Sequence, residues 1–155
     1  MAEYQAVVAW ERDGQTFTDG KYNRAHRWAF DEGVTMPASA SPMHVPKGCA
    51  PAAAVDPEEA FVAALSSCHM LFFLWLASKQ GFVVDSYRDA AVGVMGKDAA
   101  EKLAMVTVTL RPEVRFAGGR RPARAELDAL HQAAHEECYI ARSVRTDVRC
   151  EPVTG

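Results

Sequence analysis

No Cys-x-x-Cys spacing occurs among the four cysteines (49, 68, 138 and 150) of this 155-residue chain. That removes the commonest arrangement of closely spaced zinc ligands. The start, Met1-Ala2-Glu3-Tyr4, lacks a basic region followed by an apolar core, so no secretory signal is expected. The longest unbroken apolar run, Met70 to Ala77, falls well short of the roughly 20 residues a spanning helix needs. Charge of one sign is also lacking. A net charge of −3 gives no reason to expect nucleic acid or a membrane surface as partner. There is no internal repeat and no low-complexity tail. A cytoplasmic location is the expectation, and in a compartment that keeps thiols reduced four cysteines are not a disulfide framework.

What is present fits one globular domain spanning 1–155, with 49 % apolar and 24 % charged residues. Short strands are expected over Tyr4–Trp10, over Gln15–Phe17 after the hairpin signal Asp13-Gly14, and over Arg24–Phe30. Four of the eight prolines fall between residues 37 and 55, which reads as a long loop of functional interest. Asp56-Pro57-Glu58-Glu59 is a strong helix start, with Asp56 and Glu59 at capping-box spacing. The helix should stop at Gly81 after about 24 residues, roughly 36 Å long. It carries no charged residue from Ala60 to Ala77, so burial on all sides is expected. Two long strands follow, Phe82–Met95 and Leu103–Phe116. An amphipathic helix over Ala123–Glu137 and a last strand over Ser143–Cys150 complete the chain. This order predicts an α+β fold with an antiparallel sheet.

Cys68 lies deep in the apolar helix and Cys138 at the end of the polar one, 70 positions apart. Only the fold could bring them together. If it does, one thiol can attack an oxidant and the other can close a disulfide behind it. A thiolate needs a nearby cation, and Arg24, His26 and Arg27 on the third strand are candidates. Strand alternation sets Arg24 and His26 on one face and Arg27 on the other. Glu58, ten residues before Cys68 and about 15 Å along the axis, cannot touch it within one straight helix. The plainer readings stand beside these. A cysteine in an apolar helix is most often packing, the glutamates are ordinary first-turn charges, His69 and His135 are packing or surface groups, and Cys49 and Cys150 are incidental. Cys68–His69 point about 100° apart on a helix. His135–Cys138 share a face but are two ligands only, so no metal is expected.

The segments Asp56-Pro57-Glu58-Glu59 with Cys68, and Ala134-His135-Glu136-Glu137-Cys138 with Ile140 and Ser143, resemble the OsmC/Ohr family of osmotically inducible and organic hydroperoxide resistance proteins. The order of elements is similar from about residue 4 to 152. The segment Tyr22–Trp28 is unlike the glycine-rich stretch of the organic hydroperoxide branch, which makes the chain an OsmC-like member. The resemblance implies antiparallel sheets wrapped around long central helices in an intertwined homodimer. It implies a hydroperoxide reductase in which Cys68 is the peroxidatic thiol, Cys138 the resolving thiol, Arg24 the cation and Glu58 its orienting carboxylate. No bound cofactor is implied, only an external dithiol or lipoylated protein as reductant. A non-catalytic binding protein and a redox sensor are the alternatives.

Overall fold

The computed structural model describes residues 1–153. The chain divides into two compact units, Met1–Ala60 and a second beginning at Phe61.

In the first unit, strands β1 (Ala6–Ala9), β2 (His26–Phe30) and β3 (Thr35–Ala38) form an antiparallel sheet in that order. A 3-10 turn at Asp31–Gly33 reverses the chain between β2 and β3, with Glu32 and Gly33 at φ 54° and 80°. The Asp13-Gly14 turn forms, with both residues at positive φ, but Gln15–Phe17 does not return as a strand. Phe17 instead stacks on Tyr22 at 4.5 Å and packs on Trp10 at 5.8 Å, and β1 pairs with β2. Thr35–Ala38, unmarked in the sequence, is a strand despite Pro37, which β3 tolerates because it lies at the sheet edge. The proline loop is tied back by a parallel bridge between Ala38 and Val55.

Helix α1 (Pro57–Lys79) begins as expected. Asp56 Oδ1 accepts from Glu59 N at 2.8 Å and Glu59 Oε2 accepts from Asp56 N at 3.2 Å, a reciprocal capping box. It ends in a Schellman motif, with Gly81 at φ 77°, Phe82 N donating to Ala77 O and Gly81 N to Ser78 O.

In the second unit the two expected long strands are each broken. They become β4 (Val83–Asp89) and β5 (Val92–Lys97), then β6 (Leu103–Leu110) and β7 (Pro112–Ala117). The outer halves pair as β4–β7 and the inner halves as β5–β6, both antiparallel. The break has a polar cause. The Asp89 carboxylate accepts from Arg111 N at 2.6 Å and from Ser66 Oγ at 2.5 Å, and the next residue, Pro112, has no N–H to donate. Helices α2 (Arg124–Glu137) and α3 (Tyr139–Arg142) then carry the chain to β8 (Asp147–Cys150). Strand β8 pairs with β6 in parallel, from Thr107↔Asp147 to Leu110↔Cys150, which corrects the expectation of a wholly antiparallel sheet. The helical crossover that parallel pairing requires is supplied by α2 and α3.

The core of this unit lies along one side of α1. Leu65, His69, Phe73 and Ala77 are buried at i, i+4 spacing. Leu65 packs with Val108 and Leu110, while Phe73 and Ala77 pack with Phe82, Leu130 and Ala134. Burial on all sides is not what α1 shows, since Leu71 and Trp75 on the other side are 60 % and 52 % exposed. By length and composition alone α1 could cross a membrane. The count of unbroken apolar residues hid this, because Ser66, Ser67 and His69 interrupt the run.

Close approach of β5 to α1 depends on Gly93, where an added Cβ would lie 2.6 Å from both Val62 Cγ2 and Met105 Sδ. Gly93→Ala is expected to lower stability by about 1–3 kcal/mol, read from the denaturant midpoint. Gly119→Ala, where the Cβ meets nothing within 4 Å, should leave the midpoint close to that of the natural chain.

Candidate functional site

The fold brings together the two thiols that the sequence singles out. Cys68 sits one residue before His69, so it is turned off the buried stripe of α1 and is half-buried. Cys138 occupies the joint between α2 and α3, with extended backbone at φ −64° and ψ 108°. Its sulfur accepts from Ala141 N at 3.4 Å, capping α3, and the residue is 1 % exposed. The Cys138 thiol lies close enough to Cys68 for the two to act on each other electrostatically, and both are free. Burial, and after it the Cys68 sulfur, push the Cys138 thiol up to about 11. It therefore stays protonated at neutral pH. Cys68 opens onto a mostly apolar groove of about 410 Å³ lined by Ala64, Ser67, Leu71, Phe72, Trp75 and Tyr139. Tyr139 is held edge-on to Phe72 at 5.0 Å. One thiol thus faces an apolar groove while the other waits, protonated, beneath it. That arrangement suits attack on a small apolar oxidant followed by closure of a disulfide.

The other predicted residues lie in the first unit. Arg24 is half-buried, stacked 3.8 Å over Tyr22, and its guanidinium donates to the carbonyls of Tyr22 and of Gly20, the latter at 2.8 Å. His26 is also held. Trp28 Nε1, which can only donate, reaches His26 Nε2 at 2.9 Å, so the ring proton sits on Nδ1 and goes to Arg24 O at 2.8 Å. Arg27 is exposed, on the opposite face as strand alternation requires, 3.5 Å from Thr35 Oγ1. Glu58 is half-buried and faces His44 Nδ1 of the proline loop at 3.8 Å. Among the described residues no ion pair joins Glu58 to Arg24.

A second polar cluster was not foreseen. His69 Nε2 lies 3.1 Å from His131 Nδ1, the rings are parallel with centroids 5.4 Å apart, and Cys150 Sγ is 3.7 Å from His69 Nε2. Both histidines are buried. Their places could have been read from spacing, since His69 falls on the Leu65–Phe73 stripe and His131 lies one residue after Leu130 and three before Ala134. Cys150 could not, because only the parallel pairing of β8 brings it there.

Burial holds the two rings down to about 4 from an ordinary 6.5, each pushed further by a neighbouring histidine. When folded both stay uncharged between these values, whereas the unfolded chain takes up protons there. Their contribution to stability is therefore whole above 6.5 and is lost as the pH falls toward 4. The denaturant midpoint is expected to drop across that window, and to drop less steeply in a His131→Gln variant.

The profile of the family described as OsmC-like protein matches residues 50–152. Among solved structures, an OsmC-like protein of unknown function from Vibrio cholerae is 51 % identical. Its TM-score is 0.97, over 99 % of this chain and 100 % of that one. The organic hydroperoxide resistance protein OhrB of Bacillus subtilis shares 20 % identity at a TM-score of 0.66 over 98 % of each chain. An organic hydroperoxide resistance protein OsmC from Legionella pneumophila shares 15 % at 0.66, over 99 % of this chain and 98 % of that one. No protein of curated function matches. The matched residues take in all of α1, both thiols and β8, and the chain belongs to the OsmC family.

Proposed function

We propose that the protein is a thiol-dependent peroxidase that reduces organic hydroperoxides through Cys68 and Cys138. The observation that carries this reading is the thiol pair itself. Two cysteines 70 positions apart meet, one fully buried and protonated, the other opening onto an apolar groove. A groove of that lining favours an alkyl hydroperoxide over hydrogen peroxide. The Cys68 thiolate attacks the distal peroxide oxygen, the O–O bond breaks, and sulfenic acid forms as the alkoxide leaves. Cys138 can supply the proton that makes the alkoxide an alcohol. The thiolate so formed attacks the sulfenic sulfur, and hydroxide departs as water once protonated. An external dithiol or lipoylated protein then reduces the disulfide by exchange.

Arg24 and Glu58 are assigned by family resemblance as the cation that stabilises the thiolate and the carboxylate that orients it. Arg24 would have to exchange a carbonyl of Gly20 or Tyr22 for Glu58 to act this way. A second copy of the chain is the proposed cover for Leu71 and Trp75, giving a homodimer in the cytoplasm.

One equivalent of an alkyl hydroperoxide should remove two hydrogens from the intact mass, mapped to a Cys68–Cys138 bond. Cys138→Ser should stop at a trappable sulfenic acid, and Cys68→Ser should not react. Turnover that survives Cys68→Ser, measured with a small dithiol as reductant, would overturn the scheme. Oxidation that occurs once without turnover would favour a redox sensor. Arg24→Ala is expected to slow Cys68 oxidation by about 10²–10³, the usual cost of losing one preorganised charge-stabilising group, in stopped-flow measurements.

A further inference from the structure

We infer that His69, His131 and Cys150 form a binding site for a divalent, borderline-soft metal ion of the zinc type, separate from the thiol pair. Three elements of the second unit each supply one donor, α1, α2 and β8 respectively. The three donor atoms lie within 4.8 Å of one another. Zinc binds nitrogen at about 2.0–2.1 Å and sulfur at about 2.3 Å, in tetrahedral geometry. Those lengths require nitrogens roughly 3.3 Å apart and nitrogen and sulfur roughly 3.6 Å apart. The separations in this fold are 3.1 Å for His69 Nε2 to His131 Nδ1 and 3.7 Å for Cys150 Sγ to His69 Nε2. Adjustments of a few tenths of an ångström bring those two pairs to ligand spacing.

The protonation chemistry agrees. Metal ligands must be deprotonated, and burial already keeps both imidazoles uncharged at neutral pH. Without metal, the two facing ring nitrogens share a single proton. An ion in its place gives both lone pairs, and the sulfur, a common acceptor. The shared proton moves to the outer nitrogen of its own ring, His69 Nδ1 or His131 Nε2, and Cys150 gives up its proton to bind, so one proton is released for each ion taken up. The buried thiol, pushed up to about 12 by burial and by Asp89, does not ionise near neutral pH without such a cation.

Charge balance favours a dication. A divalent ion with one thiolate and two neutral imidazoles leaves one positive charge. Asp89 is close enough to act electrostatically on both His69 and Cys150, and it is fixed by Ser66 and by the Arg111 N–H. Its carboxylate cancels the remainder, whereas a monovalent ion would leave the buried cluster anionic. Three protein ligands leave a fourth position for water. Tyr87, whose ring packs on Phe73 and whose buried hydroxyl has no partner among the described residues, also feels both Asp89 and Cys150.

The test begins with metal-free protein carrying Cys68→Ser and Cys138→Ser, so that the thiol pair cannot bind metal. One equivalent of Co²⁺ should give a thiolate-to-cobalt charge-transfer band with the d–d bands of a tetrahedral ion, and Zn²⁺ should displace it. Adding Cys150→Ser should abolish the charge-transfer band. His131→Gln should weaken Zn²⁺ binding by more than the ~10–100-fold that loss of a supporting partner costs. Absence of the band, or its persistence without Cys150, overturns the inference. Zinc-edge X-ray absorption of the unaltered chain with one equivalent bound needs no substitution. A single sulfur with nitrogen neighbours supports the site, and several sulfurs, or none, refute it. Neither Cys68 nor Cys138 is a ligand here, so this site and the peroxidase reading stand or fall in separate measurements.

Discussion

Burial of a single stripe on α1 holds the second unit together. Leu65, His69, Phe73 and Ala77 repeat every four residues and reach two packed clusters, one among the strands and one against α2. Fully burying a side chain such as Leu or Phe is worth about 1.5–3 kcal/mol, so the stripe is the main apolar seam of this unit. It also fixes the rotation of the helix about its axis. Cys68 precedes a seam residue by one position, about 100° around the helix, and is turned toward the groove. A helix rotated by one residue would bury the thiol and expose the imidazole.

The same seam carries a polar joint. His69 occupies a place where Leu would fill the space without leaving ring nitrogens unpaired, and its Nδ1 has no partner. Asp89 nearby is tied to Ser66 on α1 and to the backbone at Arg111. The hairpin therefore breaks at a point set by the helix. Two chemistries sit side by side on α1, separated by one residue: a thiol facing outward and an imidazole facing in.

Features written in local chemistry were legible in the sequence. Both ends of α1 were readable because Asp56, Pro57, Glu59 and Gly81 act on the backbone within one turn of where they stand. The span of α2 followed from its amphipathic period. What escaped depends on partners far along the chain. Gln15–Phe17 has strand-like residues but is taken up by the aromatic packing of Phe17 on Tyr22 and Trp10. The breaks at Asp89 and Arg111 come from a carboxylate 22 positions away from the amide it captures. The meeting of Cys68 with Cys138 was suggested by family resemblance and by nothing in their spacing. Cys150 reads as incidental until β8 is seen to lie parallel to β6. Arg24, expected on a strand face, lies two residues before β2, and the carbonyls that hold its guanidinium belong to a loop with no periodic signal.

Parallel pairing of β6 with β8 also shapes how the chain reaches this state. The β5–β6 hairpin joins neighbours in sequence, whereas Thr107 meets Asp147 only after 40 residues of chain have been closed into a loop. Non-local pairing of this kind pays its closure entropy before any contact repays it, and it slows folding. The hairpin can form while β8 is still loose, and during that interval the Cys150 thiol is in water rather than against His69. Until β8 docks, the Cys150 thiol is open to oxidants and to wrong disulfides, and docking ends that exposure.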